Sequence, residues 1–254
     1  MVVAIVQARL SSKRLSGKVM KAISGKPMLY WTISRLKGSR NIDKIIVATS
    51  NAARDEKIVK LAKKLKVEYF QGAENDVLDR FYQTARKFKA DTIVRITGDC
   101  PLIDRKIVET VISFYKKNKG KFDYVSNVEP PTFPDGMDVE VFPLKTLKLM
   151  HSKAKLLSDR EHVTTFVRNR PRQFRIGNVY SKKDFSGIRL TVDSKEDLFV
   201  IRKLFSRLYG EKKDFGLRDI IRLSSKEPEL FLANKHIKRN EGYIFSVKND
   251  IRVG

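Results

Sequence analysis

The segment Met1–Lys26, MVVAIVQARLSSKRLSGKVMKAISGK, decides the fold class of this chain. It begins with the apolar run Val2–Val6, which is short and rich in β-branched residues, as a buried strand is. The polar and cationic stretch Gln7–Lys18 follows directly. Ligands of α/β sheets bind beyond the carboxyl ends of the strands, so a loop of Arg, Lys, Ser and Gly at this point is typical of a phosphate site. The alternative is a surface loop that is basic because the whole protein is basic.

Short apolar runs alternate with amphipathic stretches along the first half of the chain. The predicted strands there are 2–6, 44–49, 67–70, 92–96 and 122–125, and the predicted helices are 27–36, 53–65, 76–88 and 106–115. After residue 127 the predicted strands are 138–142, 174–179 and 188–192, and the predicted helices are 144–154 and 158–168. This alternation favours a sheet between two helical layers. We predict an α/β fold, a three-layer α/β/α domain with a mostly parallel sheet over 1–210, and a C-terminal helical and loop extension, 211–254, packed on it.

Composition narrows the class of protein. Apolar residues make up 41% of the 254 residues, but no stretch approaches the roughly 18 apolar residues of a membrane helix. The apolar N-terminus is too short for a signal peptide and lacks a charged lead. Cys100 is the only cysteine, which excludes disulfides within the chain and disfavours a zinc cage. We therefore expect a cytoplasmic protein without a membrane partner.

The net charge of +24 raises the question of a nucleic-acid partner. The excess is spread along the chain, since residues 1–127 carry 27 Lys and Arg against 12 Asp and Glu, and residues 128–254 carry 26 against 17. Aromatic residues are 9% and do not alternate with basic ones, as they do in a stacking platform. The charge is better explained as a solvated surface that also attracts a nucleotide and an acidic substrate.

The loop after the first strand fits neither common phosphate motif, because it has no G-x-x-x-x-G-K-[ST] and no G-x-G-x-x-G. It resembles the start of the cytidylyltransferases that activate acidic sugars, A-R-x-x-S-x-R-L-P-G-K. The matching residues are Ala8, Arg9, Ser12, Arg14, Leu15, Gly17 and Lys18. With Gln7 in front, the loop is similar to the spore-coat polysaccharide cytidylyltransferase-like branch, which is related to the acylneuraminate and 3-deoxy-manno-octulosonate enzymes. The chain departs from that branch at Lys13 and Ser16, and neither change removes a cation.

A carboxylate follows the strand predicted at 92–96, in the segment Thr97-Gly98-Asp99-Cys100-Pro101. Magnesium commonly takes one or two protein carboxylates together with phosphate oxygens and waters. A turn-forming Asp near Pro is the alternative. The segment resembles the G-D-x-P-x-I motif of the same family. That resemblance implies that Asp99 holds magnesium on the nucleotide and that Thr97 and Gly98 line the nucleotide site.

A second carboxylate, Asp193, follows the strand predicted at 188–192 and precedes a helix. The alternative for Asp193 or Ser194 is a helix N-cap. The segment Val192–Leu198 resembles the family's V-D-T-P-E-D-L, with Ser for Thr and Lys for Pro. The resemblance implies that Asp193 is the second magnesium ligand, beside Asp99.

Three further segments resemble the spore-coat branch. They are DVLDR at 76–80, PDGMDVEVF at 134–142 and REHVT at 160–164, and the tail NKHIKRNEGY at 234–243 also resembles this branch. The first implies a nucleotide contact by Arg80, although an i,i+4 charge pair with Asp76 at a helix start is the alternative. The other two imply an acceptor site. Its candidate residues are Asp135, Asp138, Glu140, Glu161 and His162. A lone histidine such as His162 is more often structural than catalytic.

The resemblance implies a nucleotidyltransferase fold and a reaction between CTP and an acidic sugar or related acidic acceptor. An acceptor oxygen would attack the α-phosphorus and release pyrophosphate, giving a CMP-linked product for surface polysaccharide or glycan synthesis. The expected catalytic residues are Arg9, Lys18, Asp99 and Asp193. The expected nucleotide-binding residues are Gln7, Ala8, Arg9, Ser12, Arg14, Lys18, Arg80, Thr97 and Gly98. Magnesium is the expected cofactor.

Two alternatives stay open at this point. One is a sugar-phosphate nucleotidylyltransferase that uses another base, although the loop lacks that family's G-x-G-T-R-L. The other is a basic nucleic-acid-binding protein on the same fold, which the paired Asp motifs disfavour. The identity of the acceptor is also open, since Asp135, Asp138 and Glu140 are acidic and could contact hydroxyls, an amine or a second metal. A homodimer is included among the expected assemblies.

Overall fold

The computed structural model describes residues 1–12 and 14–253. Within these residues the larger sheet contains β1 (Val2–Gln7), β4 (Lys44–Ser50), β5 (Glu68–Gly72), β6 (Thr92–Thr97), β7 (Tyr124–Ser126), β8 (Glu140–Pro143) and β9 (Ile176–Asn178). The short strands β2 (Ala22–Ile23) and β3 (Lys26–Pro27) form a separate hairpin. The helices are α1 (Met28–Leu36), α2 (Glu56–Lys64), α3 (Val77–Lys87), α4 (Arg105–Lys117), α5 (Leu144–Lys153), α6 (Leu157–His162), α7 (Thr165–Arg168), α8 (Lys195–Leu208), α9 (Leu217–Lys226) and α10 (Glu241–Lys248).

The seven strands have the order β5-β4-β1-β6-β8-β7-β9. Strands β5, β4, β1 and β6 pair in parallel, β8 pairs antiparallel with both of its neighbours, and β7 pairs in parallel with β9. The prediction of a mostly parallel sheet is confirmed, with β8 as the reversed strand. The carboxyl ends of β1, β4 and β6 consequently lie at one edge.

Two apolar layers cover the sheet. Along β1, Ala4 and Val6 face a layer built largely by α1, α2, α4 and α8, whereas Val3 and Ile5 face a layer built by α3, α5 and α7. Adjacent strand residues point to opposite faces, so a run that is apolar throughout can be buried on both sides. The three-layer α/β/α architecture predicted from the sequence is therefore observed.

Three local predictions differ from the structure. Residues 188–192 are not a strand, because Leu190 N donates to the Asp135 carbonyl and Val192 N to the Asp99 carbonyl instead of entering a ladder. The helix predicted over 158–168 is two helices, separated at Val163, which has φ 66°. Strand β8 begins at Glu140, so Asp138 precedes the strand that was expected to carry it.

The C-terminal segment is buried in its first part and not in its last helix. Phe215 and, from α9, Ile220 and Leu223 lie in the same core as α1 and α8. None of the residues of α10, all of which are described, is buried. The division of the chain at residue 210 stays a prediction. No helix in the described part of the chain has the length and apolar character needed to cross a bilayer.

Candidate active site

The loop after β1 folds back over the carboxyl edge of the sheet. Ala8 N donates to the Ala48 carbonyl of β4, and Leu10 N donates to Asp55 Oδ1 at 2.9 Å. Gly17 closes the loop with its N–H on the Leu10 carbonyl at 3.0 Å and has φ 64°, a left-handed value that favours glycine. These backbone bonds bring Lys18 back to the edge.

Lys18 lies between the two carboxylates that the sequence singled out. Its Nζ donates to Asp99 Oδ2 at 2.5 Å and to Asp193 Oδ1 at 2.6 Å. The segments that carry the two aspartates are joined by the bond from Val192 N to the Asp99 carbonyl, 3.0 Å. The structure therefore brings together side chains that are far apart along the chain, as the motifs predicted.

The charges of this group control its protonation. Burial alone would raise the pKa of Asp99, but the adjacent Lys18 ammonium outweighs it and leaves that pKa below its ordinary value. Burial also opposes the charge on Lys18, yet Asp99 and Asp193 together raise its pKa. Lys18 and Asp99 are therefore both charged at neutral pH.

Asp193 has two further partners. Its Oδ1 contacts Arg14 Nη2 at 2.9 Å, and its Oδ2 accepts from Arg189 Nη2 at 2.9 Å. Ser194, not Asp193, is the N-cap of α8, because Ser194 Oγ accepts from Asp197 N within a capping box. The N-cap alternative is therefore confirmed for Ser194 and wrong for Asp193.

The other predicted nucleotide residues lie around this centre or below it. Arg9 donates to Glu161 Oε1 at 3.1 Å and to the Glu74 carbonyl at 3.0 Å. Ser12 Oγ accepts from Leu15 N at 3.5 Å, a contact within the loop. Ala8 is buried. Lys13 lies outside the described residues.

Strand β6 supplies Thr97 and leads into Gly98. Thr97 Oγ1 is 3.0 Å from the Cys100 sulfur. A Cβ built on Gly98 would lie 2.8 Å from the Gln7 carbonyl oxygen, so the close approach of this turn to the end of β1 requires glycine. The Gln7 side chain faces elsewhere and accepts from Arg95 Nε at 3.1 Å.

Arg80, another predicted nucleotide residue, is almost completely buried, with 1% exposure. It donates to the carbonyls of Ala73 and Glu74, and burial lowers its pKa to about 10. Its Nε has no hydrogen-bond partner among the described residues. Arg80 thus supports the 73–74 loop, to which Arg9 also donates.

Two of the predicted acceptor residues, Asp135 and Asp138, each pair with an arginine. Asp135 Oδ2 accepts from Arg189 Nη1 at 2.6 Å, and Asp138 Oδ1 accepts from Arg239 Nη2 at 2.5 Å. Burial raises the pKa of Asp138 to about 7, with Arg239 opposing the rise. About a third of the Asp138 side chain, 32%, remains exposed, so its carboxyl can meet a ligand.

Glu140 differs from its neighbours in the same segment. It is 3% exposed, and it accepts from Arg95, from Tyr124 Oη at 2.5 Å and from Thr164 Oγ1 at 2.5 Å. Burial alone would raise its pKa, but Arg95 outweighs burial and lowers it. Glu140 is occupied by internal partners and is suited to holding β8 against β6.

Glu161 and His162 lie against the C-terminal helix. Ser246 Oγ of α10 is 3.0 Å from His162 Nε2 and 3.2 Å from Glu161 Oε2. Tyr243 packs edge-on against the His162 ring at 5.3 Å. Burial lowers the pKa of His162 to about 4, so its imidazole is neutral at pH 7.

Three site residues were not predicted from the sequence. Arg189 contacts three carboxylates, Arg239 holds Asp138, and Ser246 bridges Glu161 and His162. The Arg189 position could have been noticed, since it stands four residues before Asp193. Arg239 lies in the tail segment 234–243 but was given no role there. Ser246 had no local signal, because its contacts join residues 84 and 85 positions apart.

The donor set at this edge of the sheet contains two carboxylates, Asp99 and Asp193. In the part of the chain that the structure describes, no group of three or more His, Cys, Asp and Glu side chains forms a metal cage. Asp99 and Asp193 nevertheless converge on one cation, the Lys18 ammonium. Two carboxylates are the number that magnesium commonly takes from a protein when it also binds phosphate, so the residues present fit this ion.

Comparison with known structures defines the class of protein. A cytidylyltransferase from Leptospira borgpetersenii is 33% identical in sequence and superimposes with a TM-score of 0.88, covering 94% of this chain and 99% of that one. With the loop and carboxylates described above, the fold is that of a nucleotidyltransferase.

Sequence comparison gives the family. The family model described as cytidylyltransferase matches residues 3–237. An uncharacterized protein of Methanocaldococcus jannaschii is 36% identical over 94% of this chain and 96% of its own length. The spore coat polysaccharide biosynthesis protein SpsF of Bacillus subtilis is 30% identical over 89% of this chain and 94% of its own length. The chain belongs to the cytidylyltransferase family, and the resemblance found in the sequence is confirmed.

Proposed function

We propose that this enzyme transfers CMP from CTP to a hydroxyl of an acidic sugar or a related acidic acceptor, with release of pyrophosphate. The observation that carries the proposal is the convergence of Lys18, Asp99 and Asp193 at the carboxyl edge of the sheet, beneath a loop that also supplies Arg9 and Arg14. The similarity to a spore coat polysaccharide protein supports a role in surface polysaccharide or glycan synthesis.

The chain's own cations would act on the phosphates. In the reaction a bond forms between the acceptor oxygen and the α-phosphorus, and the bond from that phosphorus to pyrophosphate breaks. Arg9 and Arg14 now contact Glu161, Asp193 and Glu241 through exposed or half-buried pairs. Phosphate oxygens can replace these carboxylates, because guanidinium groups bind both in the same way. Charge on the leaving pyrophosphate would then be neutralised by fixed cations.

Asp99 and Asp193 would hold magnesium in this proposal. The ion would neutralise phosphate charge and orient the phosphate oxygens. Without another cation, the Lys18 ammonium balances the charge of the two carboxylates. With magnesium on the carboxylates, the same ammonium would be near enough to bind a phosphate oxygen.

The proton of the acceptor hydroxyl needs a base, and Asp138 is suited to take it. The Gly136 backbone packs on Leu190 and Thr191, close to Asp193, so the segment that carries Asp138 lies alongside the proposed metal ligand. Asp138 is partly exposed and has a pKa of about 7, near the value at which a general base works best. Asp135, Glu161 and His162 would contact acceptor hydroxyls, and Arg239, which pairs with Asp138, would bind an acceptor carboxylate.

The test has two steps. The thermal stability of the protein is measured with magnesium and each of CTP, UTP, ATP and GTP, and pyrophosphate release is then measured with CTP and a panel of acidic sugars that includes 3-deoxy-manno-octulosonate. We expect the largest stabilisation with CTP and release with an acidic sugar. Equal stabilisation by all four nucleotides would reject the assignment of cytosine as the nucleobase. Pyrophosphate release only with sugar phosphates would reject the proposed class of acceptor.

Matched variants distinguish the site from general effects. Asp193→Asn should abolish the magnesium-dependent part of the stabilisation. Asp123→Asn removes a carboxylate that pairs with Arg175 next to β7, outside the proposed site, and should change nothing. Tight binding of duplex or single-stranded nucleic acid at physiological salt would favour the alternative function.

A further inference from the structure

Arg189 lies directly behind Asp193 and uses every nitrogen of its guanidinium. Nη1 donates to Asp135 Oδ2 at 2.6 Å, and Nη2 donates to Asp193 Oδ2 at 2.9 Å. Nε donates to Asp197 Oδ1 at 2.8 Å, and Nη2 also reaches Asp197 Oδ2 at 3.1 Å. The side chain is only 7% exposed. One buried cation thus joins three carboxylates.

Asp197 anchors this guanidinium to a rigid element. It is fully buried in the first turn of α8, where it accepts from the backbone N–H groups of Asp193 and Ser194. Asn234 Nδ2 donates to the same carboxylate at 2.9 Å. Because the planar guanidinium is held on Asp197 by Nε and Nη2, the second N–H of Nη2, which reaches Asp193, points in a fixed direction.

The N–H of Arg189 Nη2 decides how the Asp193 carboxylate is oriented. Arg189 occupies Oδ2 of Asp193, which leaves Oδ1 towards Lys18 and Arg14 in the cleft. A freely rotating carboxylate would lose this preference. Groups that hold a metal-binding carboxylate from behind typically change metal affinity by about tenfold to a hundredfold when they are removed.

We propose that Arg189 is a positioning residue that orients Asp193 for the magnesium–nucleotide complex and is itself fixed by Asp197 and Asp135. This inference rests on the proposed function, because it takes Asp193 as a magnesium ligand. The competing explanation is that Arg189 only neutralises the buried Asp197 and contributes to stability.

The test measures CTP binding to the intact protein by calorimetry over a magnesium titration. Arg189→Lys keeps the charge but cannot hold three carboxylates, so it should need about tenfold to a hundredfold more magnesium for the same CTP affinity. CTP binding without magnesium should stay unchanged. Arg35→Lys is the control, since Arg35 is an internal guanidinium that packs on Phe215, bonds to its carbonyl and lies outside the site.

The outcomes separate the two hypotheses. If Arg189→Lys only lowers the melting temperature, as Arg35→Lys does, and keeps the wild-type magnesium requirement, the positioning role is wrong. If Asp193→Asn also keeps that requirement, or if the wild type shows none, the proposed metal site is wrong and the inference falls with it. Should Arg189→Lys fail to fold, Asp135→Asn removes one anchor of the guanidinium. It should raise the requirement in the same direction by a smaller factor, and an unchanged requirement would overturn the inference.

Discussion

The two sides of the cleft are held together by different kinds of contact. On the nucleotide side, Lys18, Asp99 and Asp193, the positions are set by backbone bonds such as Gly98 N to the Gln7 carbonyl and Val192 N to the Asp99 carbonyl. The acceptor side consists of Asp135, Asp138, Glu161 and His162. The partners of Asp138, Glu161 and His162 are side chains at positions 239–246 or in the first loop.

This difference separates the two specificities. On the proposed nucleotide side, Asp99 follows β6 closely, and the loops that carry Lys18 and Asp193 are fixed by backbone bonds. The acceptor side depends on side-chain contacts with the C-terminal helix α10. All residues of this helix are described, and none of them is buried.

The largest expected effect is on the nucleotide side. Asp99→Asn and Asp193→Asn should each lower turnover by an amount on the order of 2.7–4 kcal/mol of transition-state stabilisation, by analogy with other fixed charge-stabilising groups. The two effects should be less than additive, because either change disturbs the same cation site. Turnover of the two single variants and the double variant over a magnesium titration checks this. Fully additive losses would mean that the carboxylates act independently.

An intermediate effect is expected where the two sides meet, at Gly136. Its φ is 98°, and a Cβ there would lie 2.5 Å from Thr191 N, two residues before Asp193. Gly136→Ala should cost about 1–3 kcal/mol of unfolding free energy from the forced contact, with backbone strain added. Urea unfolding measures it.

Gly187→Ala is the control for Gly136→Ala, because a Cβ at Gly187 meets open space. We expect CTP binding to weaken in Gly136→Ala as well, since the displaced backbone leads to Asp193. Normal CTP binding in a destabilised variant would show that the acceptor side moves independently of the nucleotide side.

The smallest effect is a pH dependence on the acceptor side. Burial raises the pKa of Asp138 to about 7, so the folded protein holds this proton more tightly than the unfolded chain does. The contribution of Asp138 to stability is therefore complete below its unfolded pKa and is lost as the pH rises towards about 7. The stability of Asp138→Asn relative to wild type should increase between about pH 4 and about pH 7. Melting temperatures of both proteins over that range measure it, and a difference that is flat or falling with pH would contradict the assignment.

The sequence predicts the sheet well because its central strands are buried on both faces. The run 2–6 is apolar throughout and the runs 44–49 and 92–96 are mostly apolar, and each pairs in parallel with a neighbouring strand. The run 188–192 looks similar but bonds to two loops, and the sequence carries no sign of those partners. Local pattern thus predicts burial more reliably than pairing.

The same limit applies to the site. The motifs brought Asp99 and Asp193 to attention, and the structure places both on Lys18, although their role stays a prediction. Glu140 was grouped with the acceptor residues, but the β6–β8 register sets it opposite Arg95. The sequence could not show this pairing, since it depends on which strand lies beside β8. The contacts of Arg239 and Ser246 also depend on long-range packing that the sequence does not show.

The contacts of Lys18 also set an order of assembly during synthesis. Asp99 is 81 residues further along the chain and Asp193 is 175 further, so both are long-range contacts. Chains emerge from the ribosome with the N-terminal part first, and β1, β4 and β6 can pair before residue 193 has been made. Lys18 then has Asp99 as its partner while the second carboxylate is still missing. The charge balance of the cleft is completed only late in translation, after most of the sheet that supports it.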